Sequence, residues 1–203
     1  MTQNPANKQW PKIGPRLPVN VPTPHGTVQV QLAELSSGPV MVITAGEMPD
    51  VPTVRFQSAC VFGEGLRAKD CDCGEQLDAA MREICQVGGV VTYAWEEGRG
   101  GGIAHKLNAI ALQQQHGINT REAFEKLGLP AEPRTFDNHV EALRLVFSGS
   151  EIRFASRNPA KISALERAGI SISQRITLDT PMTDERKEYL EAKIPALGHI
   201  NES

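Results

Sequence analysis

The sequence predicts a single domain of mixed α/β fold, in which N-terminal strands are followed by alternating helices and strands. The chain has 203 residues, of which 40% are hydrophobic and 22% charged, and this is the size and composition of one globular domain. Strand patterns fill residues 28–60, and the first helical periodicity begins at residue 76. From there helix and strand patterns alternate, as they do when helices cover a sheet.

Three strands are predicted before the first helix. Val28, Val30 and Leu32 alternate with polar residues, which is the period of a half-buried strand. Residues 39–46 form a short apolar run typical of a buried strand, and residues 51–60 are the third candidate.

The first helix is predicted over residues 76–87, because Leu77, Ala80, Met81 and Ile84 recur there at helical spacing. Thr120 is interpreted as the N-cap of a later helix. Further strands are predicted at residues 88–95, 151–156 and 172–178, and further helices at residues 103–115, 137–148, 159–169 and 183–197.

The first 24 residues differ in composition from the rest. They contain six of the fourteen prolines, three basic residues and no acidic residue. Proline lacks the N–H group that a strand or helix interior needs. We therefore expect residues 1–24 to form a mobile or extended arm without regular pairing, or to pack across a partner subunit, and residues 25–203 to form the folded domain.

Net charge and hydropathy exclude several classes of partner. The net charge is −3 and the pI about 6.0, so the chain lacks the basic field that attracts nucleic acid or anionic membranes. It has neither an apolar run of about 18 residues nor the apolar core of a signal peptide. We expect a cytoplasmic protein, whose four cysteines are thiols or metal ligands rather than disulfides.

Three cysteines form the sharpest local pattern. Cys60 ends a predicted strand, and Cys71 and Cys73 flank an aspartate in a turn before a glycine. Three thiolates suit Zn²⁺ and leave a fourth position for water, as in catalytic zinc sites. Spacing alone leaves open that the three thiols are unrelated. The fourth, Cys85, lies on the apolar face of the first predicted helix and is interpreted as a core residue.

A second pattern is the loop 96–102, Glu-Glu-Gly-Arg-Gly-Gly-Gly, between a predicted strand and a helix. Glycines let backbone N–H groups approach an anion at a helix N-terminus, and Arg99 suits a phosphate. The dinucleotide motif G-x-G-x-x-G is excluded, because Ile103 occupies the position of its third glycine. A plain strand-to-helix turn is the alternative.

Basic residues near the ends of predicted elements form the third pattern. Arg55, Arg134, Arg157 and Lys161 are each of a type that is usually solvated at the surface. Ser156, however, follows a strand just before a helix begins, which is a suitable place for a phosphate.

Five motifs in this order resemble the GTP cyclohydrolase II family over about residues 26–199. They are RFQSAC, CDCGEQLDAA, EEGRGGGIAHKLNAIALQ, INTREAFEKLGLP and RFASRNPAKISALERAGI. The resemblance implies the mixed α/β fold of that family, a homodimer, and a catalytic domain over residues 25–203.

The resemblance also implies an activity. The family opens the imidazole ring of GTP at C8, releases formate and pyrophosphate, and makes the first precursor of riboflavin biosynthesis. In that family Zn²⁺ activates water and Mg²⁺ holds the phosphates. We therefore expect a nucleoside triphosphate substrate, GTP above all, with Mg²⁺ on its phosphates and one Zn²⁺ per chain on Cys60, Cys71 and Cys73.

Site residues follow by the same resemblance. Arg134 matches the arginine proposed to attack the α-phosphate, and Glu132 stands where the family has a catalytic aspartate. Glu97 is expected to accept hydrogen bonds from N1–H and the 2-amino group of guanine. Substrate-contacting positions are matched by Arg55, Gln76, Glu97, Gly98, Arg99, Thr120, Ser156 and Lys161.

Departures from the family surround the site. Ile110 replaces the catalytic tyrosine and can neither donate nor accept a proton, so the reaction is expected to stop largely at the formamidopyrimidine nucleotide. Ala59 replaces a glutamate, Trp95 an arginine and Glu96 a glutamine.

Two alternative functions stay open. One is a paralogue that opens another ring, such as that of a pyrimidine nucleotide stacked on Trp95. The other is a catalytically silent zinc protein that binds a nucleotide.

Overall fold

The computed structural model describes residues 17–130, 132–178 and 180 of the chain. The strands in these residues are β1 Val19–Thr23, β2 Gly26–Leu35, β3 Gly38–Ala45, β4 Thr53–Ser58, β5 Gly89–Ala94, β6 Glu151–Phe154 and β7 Ser171–Arg175. The α-helices are α1 Cys73–Val87, α2 Gly102–His116, α3 Thr120–Lys126, α4 Asp137–Leu143 and α5 Pro159–Arg167. A π-helical turn, Val61–Gly65, follows β4, and a 3₁₀ turn, Glu97–Gly100, follows β5. The predicted mixed α/β class is confirmed.

The seven strands form one sheet in the order β1-β2-β3-β5-β4-β6-β7. The pairs β1–β2, β2–β3 and β3–β5 are antiparallel, whereas β5–β4, β4–β6 and β6–β7 are parallel. Parallel neighbours end at the same edge of the sheet, so the segments after β4, β5 and β6 lie side by side. Cys60, the loop 96–102 and Ser156 belong to these three segments, at the edge where open α/β sheets bind ligands.

Helices cover both faces of the sheet. On one face α4 and α5 pack through Leu143 and Leu165 against Phe56, and all three side chains are fully buried. On the other face α1 packs through Ile84. Because side chains alternate along a strand, β4 directs Phe56 into the first core and Arg55 towards α1, where it contacts a glutamine side chain.

The predicted helices are found in the described residues, with differences at their ends. α1 begins at Cys73 rather than at residue 76, because Gly74, Glu75 and Gln76 add no apolar side chain that would extend the periodicity. α4 ends at Leu143 rather than at residue 148. The predicted helix 183–197 lies outside the described residues.

The cap of α3 is one residue earlier than the sequence indicates. The Asn119 side chain accepts a hydrogen bond from the backbone N–H of Glu122, and the Glu122 side chain accepts one from the N–H of Asn119. This reciprocal pair is a capping box. The interpretation of Thr120 as the N-cap is therefore wrong.

The expectation that the proline-rich segment lacks regular pairing is wrong for residues 19–23, which form β1 and pair with β2. Pro22 is tolerated there because β1 is an edge strand, where a missing N–H need not break the ladder. Residues 1–16 lie outside the described part. Among the described helices, none combines the length and apolarity needed to cross a bilayer.

Candidate metal and nucleotide site

Three thiols lie together at the carboxyl edge of the sheet. The sulfur atoms of Cys60, Cys71 and Cys73 are all within 4.8 Å of one another, and those of Cys60 and Cys71 are 3.5 Å apart. Tetrahedral Zn²⁺ with Zn–S bonds of about 2.3 Å places its sulfur ligands about 3.8 Å apart, so this cluster fits such an ion. The alternative of three unrelated thiols is wrong. Cys85 packs elsewhere, with the core that α1 covers.

The backbone of the π-helical turn lies close to Cys71 and Cys73, and this brings the three thiols together. The N–H of Gly63, in the π-helical turn, donates to Sγ of Cys60 at 3.4 Å. A Cβ at Gly63 would lie 2.8 Å from Sγ of Cys71 and 3.0 Å from Cβ of Cys73. The turn after β4 thus fits against the start of α1 only because residue 63 has no side chain, and Cys60 meets the other two cysteines there.

Lys106 of α2 joins the thiols to Glu97. Its Nζ donates to Sγ of Cys60 at 3.0 Å and to Oε1 of Glu97 at 2.7 Å, and Oε2 of Glu97 accepts from the N–H of Val61 at 2.6 Å. Burial alone would lower the pKa of Lys106, but the hydrogen bonds to Glu97 and Cys60 raise it above its usual range. Contacts with Cys71, Cys73 and Lys106 lower the pKa of Cys60 despite burial. Contact with Cys60 and burial raise the pKa values of Cys71 and Cys73, so Cys60 is the thiol of the cluster that ionises most readily.

A buried polar chain runs beneath the thiols. Arg55 donates to the Oε1 atoms of Gln57 and Gln76, at 3.0 Å and 2.6 Å. Gln57 donates to Glu64 at 2.7 Å, and the Tyr93 hydroxyl donates to the same carboxylate at 2.6 Å. Gln76 thus orients Arg55, and both are residues predicted to contact substrate.

Two further basic residues of the predicted site, Lys161 and Arg134, approach the same edge around Phe136. The Lys161 Nζ lies 5.1 Å from the centroid of the Phe136 ring and the Arg134 Cζ lies 4.9 Å from it. Lys161 also donates to the Phe56 carbonyl at 2.7 Å. Burial, then Arg55 and Arg134, lower the pKa of Lys161. Three basic side chains therefore crowd one region, and an anion bound there would favour the protonated form of Lys161.

Arg134 and Glu132 form a bidentate pair. Nε and Nη2 of Arg134 each donate to a different carboxylate oxygen of Glu132 at 2.6 Å. Such a fork fixes the guanidinium plane more firmly than a single contact does. A Cβ at Gly100 would be 3.8 Å from Cγ of Arg134, so the glycine-rich loop lies directly against this arginine.

Three other residues predicted to contact substrate lie against α2 and α3. The Arg99 guanidinium lies 4.7 Å from the centroid of the Phe124 ring, beside α3. Gly98 has a φ of 59° and packs against Lys106, which a Cβ would approach to 3.3 Å. Thr120 accepts a hydrogen bond from Gln113 of α2. The structure therefore groups these three with α2 and α3.

Ser156 and Arg157 are neighbours in the sequence but differ in their exposure to solvent. The Ser156 hydroxyl is buried and accepts from the N–H of Asn158, the N-cap of α5, which places it at the carboxyl end of β6. Arg157 is exposed.

Glu96 belongs to a buried network of polar contacts that the sequence analysis did not predict. Its carboxylate accepts hydrogen bonds from Ser58 and Asn138, both at 2.7 Å, and lies 3.6 Å from Nε2 of the fully buried His139. Burial alone would raise the pKa of Glu96, but contacts with His139, Ser58 and Asn138 lower it to about 2. Burial lowers the pKa of His139, although Glu96 opposes this. An ionised carboxylate thus sits beside an imidazole that burial keeps neutral.

Sequence reasoning missed Lys106, Glu64 and His139 as parts of the site. Lys106 follows the glycine-rich loop within the first turns of α2, and this position is the signal that could have identified it. Nothing local marks His139, whose partner Thr92, 2.8 Å from Nδ1, lies 47 residues earlier.

Comparison with known proteins places this geometry in context. The family model described as GTP cyclohydrolase II matches residues 16–177. The chain is 34% identical over 191 residues to riboflavin biosynthesis protein RibBA of Staphylococcus saprophyticus, covering 93% of this chain and 48% of that protein. It is 35% identical over 188 residues to RibBA of Bacillus velezensis, covering 90% and 47%. With RibBA of Staphylococcus aureus it shares 35% over 196 residues, covering 95% and 49%. The chain spans about half the length of these relatives.

Proposed function

We propose that this chain, which belongs to the GTP cyclohydrolase II family, is a cyclohydrolase. It opens the imidazole ring of GTP at C8 and releases pyrophosphate. The observation that carries the proposal is the position of the three thiols beside three cations at one edge of the sheet. A reaction that hydrolyses a ring and also cleaves a phosphate chain needs a water-activating centre and an anion site within one substrate length of each other. The names of the RibBA relatives support a role in riboflavin biosynthesis.

The donor set fits zinc. Cys60, Cys71 and Cys73 would hold one ion per chain, and zinc bound by three protein ligands supplies Lewis-acid activation of a water molecule. Lys106 offsets the charge of the Cys60 thiolate and orients Glu97, the proposed reader of the guanine edge. The ring to be opened would therefore be held beside the thiols by its own base contacts.

The cations serve the phosphates. Arg55 and Lys161 are buried, so a bound polyphosphate would favour the protonated form of Lys161 and would interact with both groups in a medium of low dielectric constant. Mg²⁺ would bind to the phosphate oxygens, as the family implies. The bidentate contact with Glu132 fixes the plane of the Arg134 guanidinium, and this supports the assignment of Arg134 as the group that attacks the α-phosphate and of Glu132 as its partner in proton transfer.

One observation favours a second candidate function. Trp95 is 57% exposed at the end of β5, where its ring meets Tyr93 edge-on at 5.8 Å between centroids. An exposed indole can stack on any base. Together with Ile110 in place of the family tyrosine, it supports a paralogue that opens another nucleotide ring, such as that of a pyrimidine.

A single assay separates the candidates. The protein is incubated with Zn²⁺, Mg²⁺ and each of GTP, ATP, UTP and CTP, and formate, pyrophosphate and new ultraviolet bands are measured. Turnover of GTP with pyrophosphate release supports the proposal. Turnover of a pyrimidine nucleotide alone supports the paralogue, and no turnover of any nucleotide supports a silent binding protein.

Two variants locate the phosphate chemistry within that assay. Arg134→Ala is expected to abolish pyrophosphate release, whereas Arg157→Ala, at an exposed arginine, is expected to react normally. Normal release by Arg134→Ala would exclude Arg134 as the nucleophile. The homodimer expected from the family is tested separately by sedimentation of the zinc-loaded chain.

A further inference from the structure

Glu96 adds a carboxylate to a region that holds the basic side chains Arg55, Arg134 and Lys161, of which Arg134 already pairs with Glu132. Its side chain is 16% exposed, and Asn138 and Ser58 hold both of its carboxylate oxygens in place. These two donors are neutral, and the third neighbour, His139, is fully buried. The hydrogen bonds therefore fix the carboxylate without cancelling its charge, and the low pKa of Glu96, about 2, keeps it ionised at neutral pH.

His139 and Phe136 lie between this charge and the cations of the proposed phosphate site. Arg134 and Lys161 both lie over its ring, at 4.9 Å and 5.1 Å from the centroid. The His139 ring packs against the same phenylalanine at 5.9 Å between centroids, and Glu96 is 3.6 Å from His139. Consistently, the Glu96 charge opposes the lowering of the Lys161 pKa. Glu96 is thus within electrostatic reach of Lys161, with the side chains of His139 and Phe136 between them.

We propose that Glu96 is a specificity-determining residue that acts as a resident counter-charge for Lys161 and thereby reduces the preference of this chain for a nucleoside triphosphate over a nucleoside monophosphate. The inference rests on the proposed function, since it takes these cations as the phosphate site. The number of phosphate groups that the site prefers would then depend on an acidic residue as well as on the basic ones.

The sign follows from Coulomb's law. A fixed negative charge repels every phosphate group, and the repulsion grows with the number of charges that the nucleotide brings. Removing the carboxylate therefore strengthens the binding of GTP more than the binding of GMP. For partly buried charges several ångströms apart, this difference corresponds to about a 10-fold change in the ratio of the two dissociation constants.

The test compares Glu96→Gln with the unaltered chain. Both proteins, loaded with zinc, are titrated with GTP and with GMP by calorimetry at one Mg²⁺ concentration. Glutamine has the shape of glutamate and can keep the contacts with Ser58 and Asn138, so the loop should hold its place. We expect the ratio of the GMP to the GTP dissociation constant to rise about 10-fold in the variant. Glu96→Met, which removes the same charge without an amide, is expected to raise it likewise.

Asn138→Ala is the matched control, because it removes a hydrogen bond to Glu96 but leaves the charge. Its ratio is expected to stay at the unaltered value. An unchanged ratio in both Glu96 variants overturns the inference, and so does an equal rise in Asn138→Ala, which would make Glu96 a positioning residue only. If GTP and GMP bind while the ratio stays constant, the proposed function stands without this inference. If neither nucleotide binds to the unaltered chain, both are overturned.

Discussion

The ammonium group of Lys106 lies 3.0 Å from the sulfur of Cys60 and so connects α2 to the thiol cluster at the end of β4. The same ammonium lies 2.7 Å from Glu97, at the start of the glycine-rich loop. One side chain therefore joins the proposed metal site to the proposed base site. Groups that contact metal ligands from outside the ligand set commonly change metal affinity by 10–100-fold.

Lys106→Met is accordingly expected to weaken zinc binding about 10-fold, because the Cys60 thiolate loses its cationic donor. Competition with a chromophoric chelator measures the affinity without any need for turnover. Lys126→Met, at an exposed lysine of α3, serves as the control and should bind zinc as the unaltered chain does. Equal affinities in the two variants would show that Lys106 does not support the thiol cluster.

Serine substitutions should divide the four cysteines into two classes. Cys60→Ser, Cys71→Ser and Cys73→Ser each remove one of the clustered sulfurs and are expected to lose the single zinc ion per chain. Cys85→Ser should keep it, since that residue packs in the α1 core. Metal analysis of the purified variants by mass spectrometry is the measurement. Loss of zinc from Cys85→Ser together with retention by Cys60→Ser would contradict the assignment.

A methyl group at residue 63 should disturb the cluster from the backbone side. The Cβ of Gly63→Ala would lie 2.8 Å from the Cys71 sulfur, so the turn or the thiol must shift. We expect weaker zinc binding and a loss of about 1–3 kcal/mol in the free energy of unfolding. Gly65→Ala, in the same turn, meets only a flexible valine methyl at 3.3 Å and is the control. Denaturant titration and chelator competition measure both effects.

The isoleucine at position 110 leads to a prediction about products. Release of formate requires hydrolysis of a formamide after ring opening, and general acid–base catalysis of such a step contributes about 10²–10⁴-fold. If GTP is the substrate, the unaltered chain should yield the formamidopyrimidine nucleotide and pyrophosphate with little formate.

Restoring the hydroxyl tests this directly. Ile110→Tyr is expected to raise the formate yield, whereas Ile103→Tyr, at an exposed position of the same helix, should leave it unchanged. Product mass and formate assays decide the matter. Stoichiometric formate from the unaltered chain would refute the prediction and point to His105 or Glu132 as the replacement acid–base group.

Glu96 should make stability depend on pH. The pKa of its carboxyl group is about 2 in the folded chain, against an ordinary value of 4.5, so the folded state favours the ionised form. The corresponding stabilisation is fully present above about pH 4.5 and is lost as the pH falls towards 2. Its size is on the order of 3 kcal/mol.

The measurement is the free energy of unfolding of the zinc-free chain between pH 6 and pH 3. Because Glu96 and the buried His139 titrate as a linked pair, the unaltered chain is compared with the double variant Glu96→Gln/His139→Gln and should lose stability more steeply with acid than that variant does. Glu166→Gln, at an exposed residue of α5, should follow the unaltered chain. Parallel curves for the unaltered chain and the double variant would contradict the assigned pKa.

Local sequence patterns determined most of the secondary structure. The alternation of Val28, Val30 and Leu32 predicted β2, and the spacing of Leu77, Ala80, Met81 and Ile84 predicted α1, because burying one face of a strand or helix imposes a period that the sequence must carry. The thiol spacing likewise indicated a metal site before any contact was known. These inferences depend only on residues close together in the chain.

Tertiary structure decided which chemical groups meet. Lys106 reaches Cys60 from 46 residues away, and Glu96 reaches Asn138 across 42; no local pattern records such pairs. The parallel pairing of β4, β5 and β6 brings the three loops of the site to one edge of the sheet, and strand order is a property of the whole chain. The pKa of Glu96 follows from the same cause, since burial and hydrogen bonding depend on neighbours that only the folded chain supplies.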